Sequence, residues 1–348
     1  MFTRLALKAP ASAALHSRQV RWISRSSARL ANYGFIGLGQ MGFQMARNLQ
    51  SKLSASDNLA VFDVNASATQ TFCEGVDTQS PVGGATTRVA ASVFDAAKDA
   101  DVVITVLPEP AHVSAVFDQI LTPALPARNR TFIDCSTIDP TTSQHISARV
   151  ATHSSSATPD NASVFVDAPM SGGVIGATAG TLTFMLGGTP AGASAAAPAL
   201  RLMGAHLEHC GPAGAGLAAK LANNYVLAVA NIATAEAMNL GVRWGLDARV
   251  LARVLAASTG RCWPVQVNNP VPGVVDGAPA GRDYRGGFGL RLMAKDVRLA
   301  ATAARDRGVR MELVASVRRV YEEAEKDERC AGRDFSVVYR WLDGEERK

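Results

Sequence analysis

From Asn32 onward the chain alternates short, continuous apolar runs with longer stretches in which apolar residues recur every three or four positions. Residues 33–37, 59–63, 101–107 (DVVITVL), 130–135 (RTFIDC), 163–167 (SVFVD) and 181–186 (TLTFML) are runs of the first kind. They are rich in Val, Ile, Thr and Phe, and a run apolar at nearly every position suits a parallel strand buried on both faces. Helical patterns separate most of them; Met41, Met45 and Leu49, for example, share one helix face. Strands alternating with helices predict an α/β fold, a doubly wound Rossmann-type sheet over 32–212.

The pattern changes near residue 212. A glycine-punctuated turn at 211–216 leads into long helical periods at 217–244, 248–258, 292–307 and 311–326, with almost no strand signal. An all-helical C-terminal domain is therefore expected over 213–345, without internal repeats. The 217–242 stretch shows no water-facing stripe, which predicts burial on most sides, a bridge between the two domains, and a subunit interface in a homodimer or homotetramer. Asn223, Asn224, Asn231 and Glu236 interrupt it, and no 18-residue apolar run occurs, so no membrane span is expected.

Composition changes this picture mainly at one end. With 47% hydrophobic and 19% charged residues the chain is ordinary globular material. The net charge of +5 is concentrated in the first thirty residues, which hold Arg4, Lys8, Arg18, Arg21, Arg25 and Arg29 and no acid. Without those six of the 35 basic residues, 29 stand against 30 acids, so the rest is close to neutral and carries no nucleic-acid footprint. A basic, acid-free leader rich in Ser and Ala reads as a mitochondrial transit peptide over 1–30, which predicts delivery of the chain to the matrix. The five cysteines are scattered and form no CxxC, so free thiols are expected. His206, His209 and Cys210 lack a fourth nearby ligand, and no metal site is expected. Residues 153–162 (HSSSATPDNA) read as a polar surface loop.

Gly37-Leu38-Gly39-Gln40-Met41-Gly42 fits GxGxxG, follows a predicted strand, opens a predicted helix, and precedes an acid, Asp63, about twenty residues on. Gly37 permits the tight turn, Gly39 admits the pyrophosphate to the backbone, and Gly42 lets helix and strand pack closely. The helix N-terminus offers unpaired N–H groups to the phosphates. Asp63 is placed to accept hydrogen bonds from the adenosine ribose and to repel a 2′-phosphate, so the cofactor expected is NAD.

Residues 35–49 (FIGLGQMGFQMARNL) resemble the signature of the 3-hydroxyisobutyrate dehydrogenase family of β-hydroxyacid dehydrogenases. DCSTIDP (134–140), DAPMSGGVIGATAGTLTFMLGG (167–188), GLAAKLANN (216–224) and GGFGLRLMAKD (286–296) match it in the expected order, and GRCW (260–263) with NPVPG (269–273) adds to the resemblance. The resemblance covers roughly residues 33–343. It implies NAD-dependent oxidation of 3-hydroxyisobutyrate to methylmalonate semialdehyde, a step of valine catabolism. It makes Lys220 the general acid/base, Asn224 a substrate ligand, and Ser171, Gly172 and Gly173 the site of the substrate carboxylate. It also implies that Leu107, Pro108, His112, Thr137 and Lys295 complete the cofactor contacts begun by 37–42 and Asp63. The residues themselves agree: Lys220 and Asn224 are four apart on one helix face, and a charge in Leu-Ala-Ala-Lys-Leu-Ala is costly unless it has a partner or a task. Leu290 and Arg291 depart from the family pattern, which often has Thr-Thr there. The competing readings are a related β-hydroxyacid dehydrogenase or a semialdehyde or glyoxylate reductase, and, in another class, a non-catalytic NAD-binding protein.

Overall fold

In the chain's computed structural model, residues 31–79, 84–122, 125–126, 128–153 and 162–346 are described. The expected transit peptide and nearly all of the 153–162 loop lie outside them. The first part of the fold runs β1 (Asn32–Ile36), α1 (Gln40–Lys52), β2 (Asn58–Phe62), α2 (Ala66–Gln79), β3 (Thr86–Val89), α3 (Val93–Ala97), β4 (Val102–Thr105), α4 (Pro110–Leu121), β5 (Thr131–Asp134), α5 (Pro140–His153), β6 (Val164–Asp167), β7 (Met170–Ser171), α6 (Gly173–Ala179), β8 (Leu182–Gly187), α7 (Pro190–Arg201) and β9 (Gly204–Gly211). Helices follow: α8 (Ala215–Arg243), α9 (Ala248–Ala257), α10 (Trp263–Gln266), α11 (Leu290–Asp306), α12 (Val314–Lys326) and α13 (Val338–Trp341).

The nine strands form one sheet in the order β3-β2-β1-β4-β5-β6-β8-β7, with β9 paired to β8. From β3 to β6 all pairs are parallel; five of the six apolar runs read from the sequence are strands of this stretch (β1, β2, β4, β5 and β6), and the sixth, 181–186, is β8. Their direction of build reverses between β1 and β4, and ligands of such sheets sit in the crevice at the strand carboxyl ends there. β8 runs antiparallel to β6 and β7, so the sheet is mixed beyond β6. Three strands escape the hydrophobic pattern for visible reasons. β3 is a mostly exposed edge, β7 has two residues, and β9 (GAHLEHCG) is a polar strand with one neighbour. His206, His209 and Cys210 all lie in β9, where the His209 Nε2–H donates to the Gly188 carbonyl at 2.9 Å.

The core is layered as the alternation requires. Phe35, Val61, Ile104, Ile133, Val166 and Phe184 pack against α1 and α7 on one face. Ile36, Val103, Phe132 and Phe165 meet α3, α4 and α5 on the other, where Phe117 makes edge contacts with both phenylalanines.

The 29-residue α8 differs from its expectation. Leu217, Lys220, Leu221, Asn224, Ala228, Asn231, Ala235 and Met238 are buried, whereas Val226, Leu240 and the adjoining Trp244 face solvent. One stripe is thus buried within the chain rather than most sides. Asn231, which interrupts the apolar run, makes its hydrogen bonds inside: its amide donates to the Tyr321 hydroxyl and the Phe335 carbonyl, and Tyr321 donates to the Ala228 carbonyl. Length and composition alone would let α8 cross a bilayer. Its buried lysine and asparagines, and its packing on β8, make it a core helix instead.

Candidate functional site

The three glycines of the turn are needed for different reasons. Gly37 has φ +102°, and a side chain there would strike the Val106 carbonyl. A side chain at Gly42 would strike the Gly37 carbonyl, so this residue sets how closely α1 meets β1. Gly39 has an ordinary extended backbone with nothing within 4 Å of where a Cβ would stand. Nothing among the described residues requires glycine at 39, and the open space would take a pyrophosphate. Gln40 begins α1, Met41 lies in its first turn, and that turn has neither a side-chain cap nor an acid, leaving its N–H groups for an anion.

Asp63 follows β2 directly, half-buried. Its Oδ2 accepts from the Leu38 N–H at 2.6 Å and its Oδ1 from the Asn65 N–H at 2.8 Å. The carboxylate therefore fixes the glycine turn. Its remaining lone pairs fit a diol and oppose a phosphate.

Across the crevice, α8 and α11 supply a charged cluster inside an otherwise apolar setting. Lys220 is 7% exposed and makes no hydrogen bond or ion pair with any described residue. Burial lowers its pKa from the usual lysine value, the Asp296 carboxylate raises it, and the Lys295 cation lowers it further; the net direction is down. Asn224, one turn along, is buried, donates to Asp296 Oδ2 at 2.6 Å, and accepts from the Asn223 amide at 3.1 Å. Lys295 reaches out of α11 to the sheet: its Nζ donates to the Thr137 carbonyl at 2.6 Å and the Pro108 carbonyl at 3.2 Å, and pairs with Asp296 Oδ1 at 3.4 Å. One side chain thus joins the helical half to the loops after β4 and β5.

The other expected residues surround this junction. The half-buried Leu107 donates its N–H to Ser136 Oγ at 2.8 Å, which fixes the start of the β4–α4 loop. Pro108 is exposed, and His112 is exposed in the first turn of α4. Ser171 ends β7, and Gly172 (φ +132°) and Gly173 (φ +60°) follow with open space at Gly173. Successive backbone N–H groups in such conformations form a concavity suited to a carboxylate. β7 pairs with β8, on which α8 packs, so Ser171 and Lys220 are carried by adjoining elements.

Two buried carboxylates near this junction escaped the sequence reading. Asp296 accepts from Asn224, pairs with Lys295 and acts electrostatically on Lys220, yet in the sequence beside Lys295 it looks like half of a solvated pair. Asp167 opens DAPMSGG and lies buried at the end of β6, within reach of the α8 N-terminus. The available signal for it was an acid closing an apolar strand, the same signal that exposed Asp63.

Residues 32–211 match the family model described as the NAD binding domain of 6-phosphogluconate dehydrogenase. Residues 214–342 match that described as NAD-binding of NADP-dependent 3-hydroxyisobutyrate dehydrogenase. The Arabidopsis thaliana protein named probable 3-hydroxyisobutyrate dehydrogenase, mitochondrial, is 41% identical over 323 residues, 91% of this chain and 89% of that protein. The chain belongs to the 3-hydroxyisobutyrate dehydrogenase family. The Drosophila melanogaster member is 42% identical over 308 residues, 88% of each chain. Among solved structures, the Mycobacterium tuberculosis 3-hydroxyisobutyrate dehydrogenase with L-serine superposes with a TM-score of 0.79 at 38% identity, covering 90% of this chain and 99% of that one.

Proposed function

We propose that the chain is an NAD-dependent 3-hydroxyisobutyrate dehydrogenase with Lys220 as its general acid/base. The observation that carries this reading is Lys220 itself: a buried amine with a lowered pKa and no hydrogen bond or ion pair among the described residues, set in the field of Asp296 and of Lys295, whose ammonium holds the loops after β4 and β5.

Bound NAD supplies a nicotinamide C4 that accepts hydride. The protein does the remainder. Residues 37–42 and Asp63 hold the dinucleotide, with Leu107, Pro108, His112 and Thr137 along the crevice and Lys295 closing it from α11. Ser171, Gly172 and Gly173 take the substrate carboxylate on backbone N–H groups, and Asn224 steadies the substrate one turn from Lys220. Lys220 Nζ, neutral, accepts the hydroxyl proton as the C3 hydrogen leaves; in the reverse direction protonated Lys220 polarises the aldehyde oxygen. A base works best with a pKa near the working pH, and burial with a neighbouring cation moves Lys220 in that direction. Asp63 favours NAD because a 2′-phosphate would meet its charge.

The reading divides the chain into a leader at 1–30, a dinucleotide-binding domain at 32–212 and a helical domain at 213–345. The relatives are named mitochondrial, and with the basic leader this supports a mitochondrial location, specifically the matrix. The exposed Val226, Leu240 and Trp244 beside α8 support a homodimer or homotetramer. Turnover of both enantiomers of 3-hydroxyisobutyrate and of serine with NAD, beside reduction of succinic semialdehyde and glyoxylate with NADPH, tests the assignment. The highest kcat/KM is expected for a 3-hydroxyisobutyrate enantiomer with NAD; a higher value for either reduction would replace it.

A further inference from the structure

α8, which carries Lys220 and Asn224, begins at Gly214 with φ +86° and no side-chain cap of its own. Its orphan N–H groups are met from the sheet. Asp167 Oδ1 accepts from the Gly214 N–H at 2.6 Å and Oδ2 from the Leu217 N–H at 3.0 Å. Leu217 lies one turn before Lys220. Asp167 is also the last residue of β6, and the chain runs from it through Ala168, Pro169 and Met170 into Ser171. The carboxylate is wholly enclosed. A side chain at Gly187 would strike it, and one at Gly216 would come within 2.9 Å of its Oδ2 and strike the Met185 carbonyl. Two glycines thus bring β8 and α8 against it with no space left. Burial raises its pKa to about 6 while the helix N–H groups oppose that rise, so an ion is kept here at a desolvation cost.

Building on the reading above, we propose that Asp167 is a positioning residue: it pins the α8 N-terminus to the end of β6 and so fixes Lys220 relative to the carboxylate loop at 171–173. It touches neither substrate nor cofactor. It acts because the strand that leads into one half of the site also holds the helix that carries the other half. Catalytic groups tolerate little displacement, and a shift of about 1 Å can cost about 10²-fold in rate.

The test compares Asp167→Asn, Asp167→Ala and Lys220→Ala in the full-length protein, with kcat and KM for 3-hydroxyisobutyrate and Kd for NAD. Asp167→Asn keeps one acceptor and Asp167→Ala keeps none. We expect kcat to fall about 10-fold in the first and further in the second, while substrate KM stays within threefold and NAD Kd within twofold. General loss of structure would raise KM and Kd together, and that pattern would overturn the proposal, as would unchanged kcat. If the Asp167 variants do not fold, Gly216→Ala displaces the helix with the carboxylate intact. It should lower kcat in the same selective way, and an unchanged kcat there would also overturn the proposal. Lys220→Ala separates the two claims: retained turnover in that variant removes the assigned mechanism, whereas its loss beside an unaffected Asp167→Asn removes only the positioning role.

Discussion

Lys295→Met probes the electrostatics of the site most revealingly. The native ammonium holds two carbonyls, those of Thr137 and Pro108, and pairs with Asp296 at 3.4 Å while only 6% exposed. Removing it has two consequences of the same sign for Lys220. A cation that lowers the Lys220 pKa disappears, and the Asp296 carboxylate that raises it loses its competing partner. Oxidation requires neutral Lys220, so the rising limb of the pH–rate profile must move to higher pH. Unit charges about 4 Å apart interact by about 1 kcal/mol in water and about 4 kcal/mol at an effective dielectric of ~20. At about 1.4 kcal/mol per pKa unit, even the weaker limit shifts the limb by most of a unit, and about one unit or more is expected. The assay is initial NADH formation at saturating NAD between about pH 6 and 11. Lys295→Arg serves as the charge-preserving control and should leave the limb near its native position. A limb in Lys295→Met that stays put or moves to lower pH would refute the reasoning. The same variant leaves a buried carboxylate and two carbonyls without their cation, a loss of about 3–5 kcal/mol by analogy with broken buried pairs, readable as a lowered Tm.

Other outcomes follow from individual residues. Gly39→Ala should leave Tm unchanged, because nothing lies within 4 Å of the new methyl group, yet raise NAD Kd about 10-fold or more; an unchanged Kd would remove the pyrophosphate from that turn. Asp63→Ser with Asn65→Arg should raise the NADP-to-NAD ratio of kcat/KM, and an unmoved ratio would take the selectivity away from Asp63. Asp134 is buried with its pKa raised to about 6, above the unfolded 3.8. Its folded form therefore binds its proton more tightly, and this contribution to stability is present below about pH 4 and lost as pH rises through 6. In Asp134→Asn that part of the pH dependence vanishes, so the variant's Tm should gain on the native Tm as pH rises from about 4 to 6; parallel Tm curves would contradict the assignment.

The sequence made legible the features that depend on local pattern. Each apolar run became a strand, five of them in the parallel part of the sheet, because burial on both faces demands continuity, and GxGxxG with Asp63 located the tight glycine turn between β1 and α1 because its spacing is set by the chain itself. β9 stayed hidden because a polar edge strand owes its place to β8 rather than to its own residues. The extent of α8 burial was overread: an evenly apolar helix gives no indication of which side the chain itself covers, and Val226 and Leu240 lie on the uncovered side. Lys220 and Asn224 were visible as neighbours on one helix. Their connection to Asp296, 72 residues from Asn224, and to Thr137, 158 residues from Lys295, is tertiary and leaves no periodic trace. Asp167 was missed for the same reason, since the N–H groups it caps are 47 and 50 residues away.

The central claim is that a proton moves through Lys220, and turnover of Lys220→Ala with 3-hydroxyisobutyrate and saturating NAD tests it directly. The account predicts kcat lower by about 10²-fold or more, the scale of a lost acid–base group, with NAD Kd unchanged. A kcat within a few-fold of the native enzyme would contradict it.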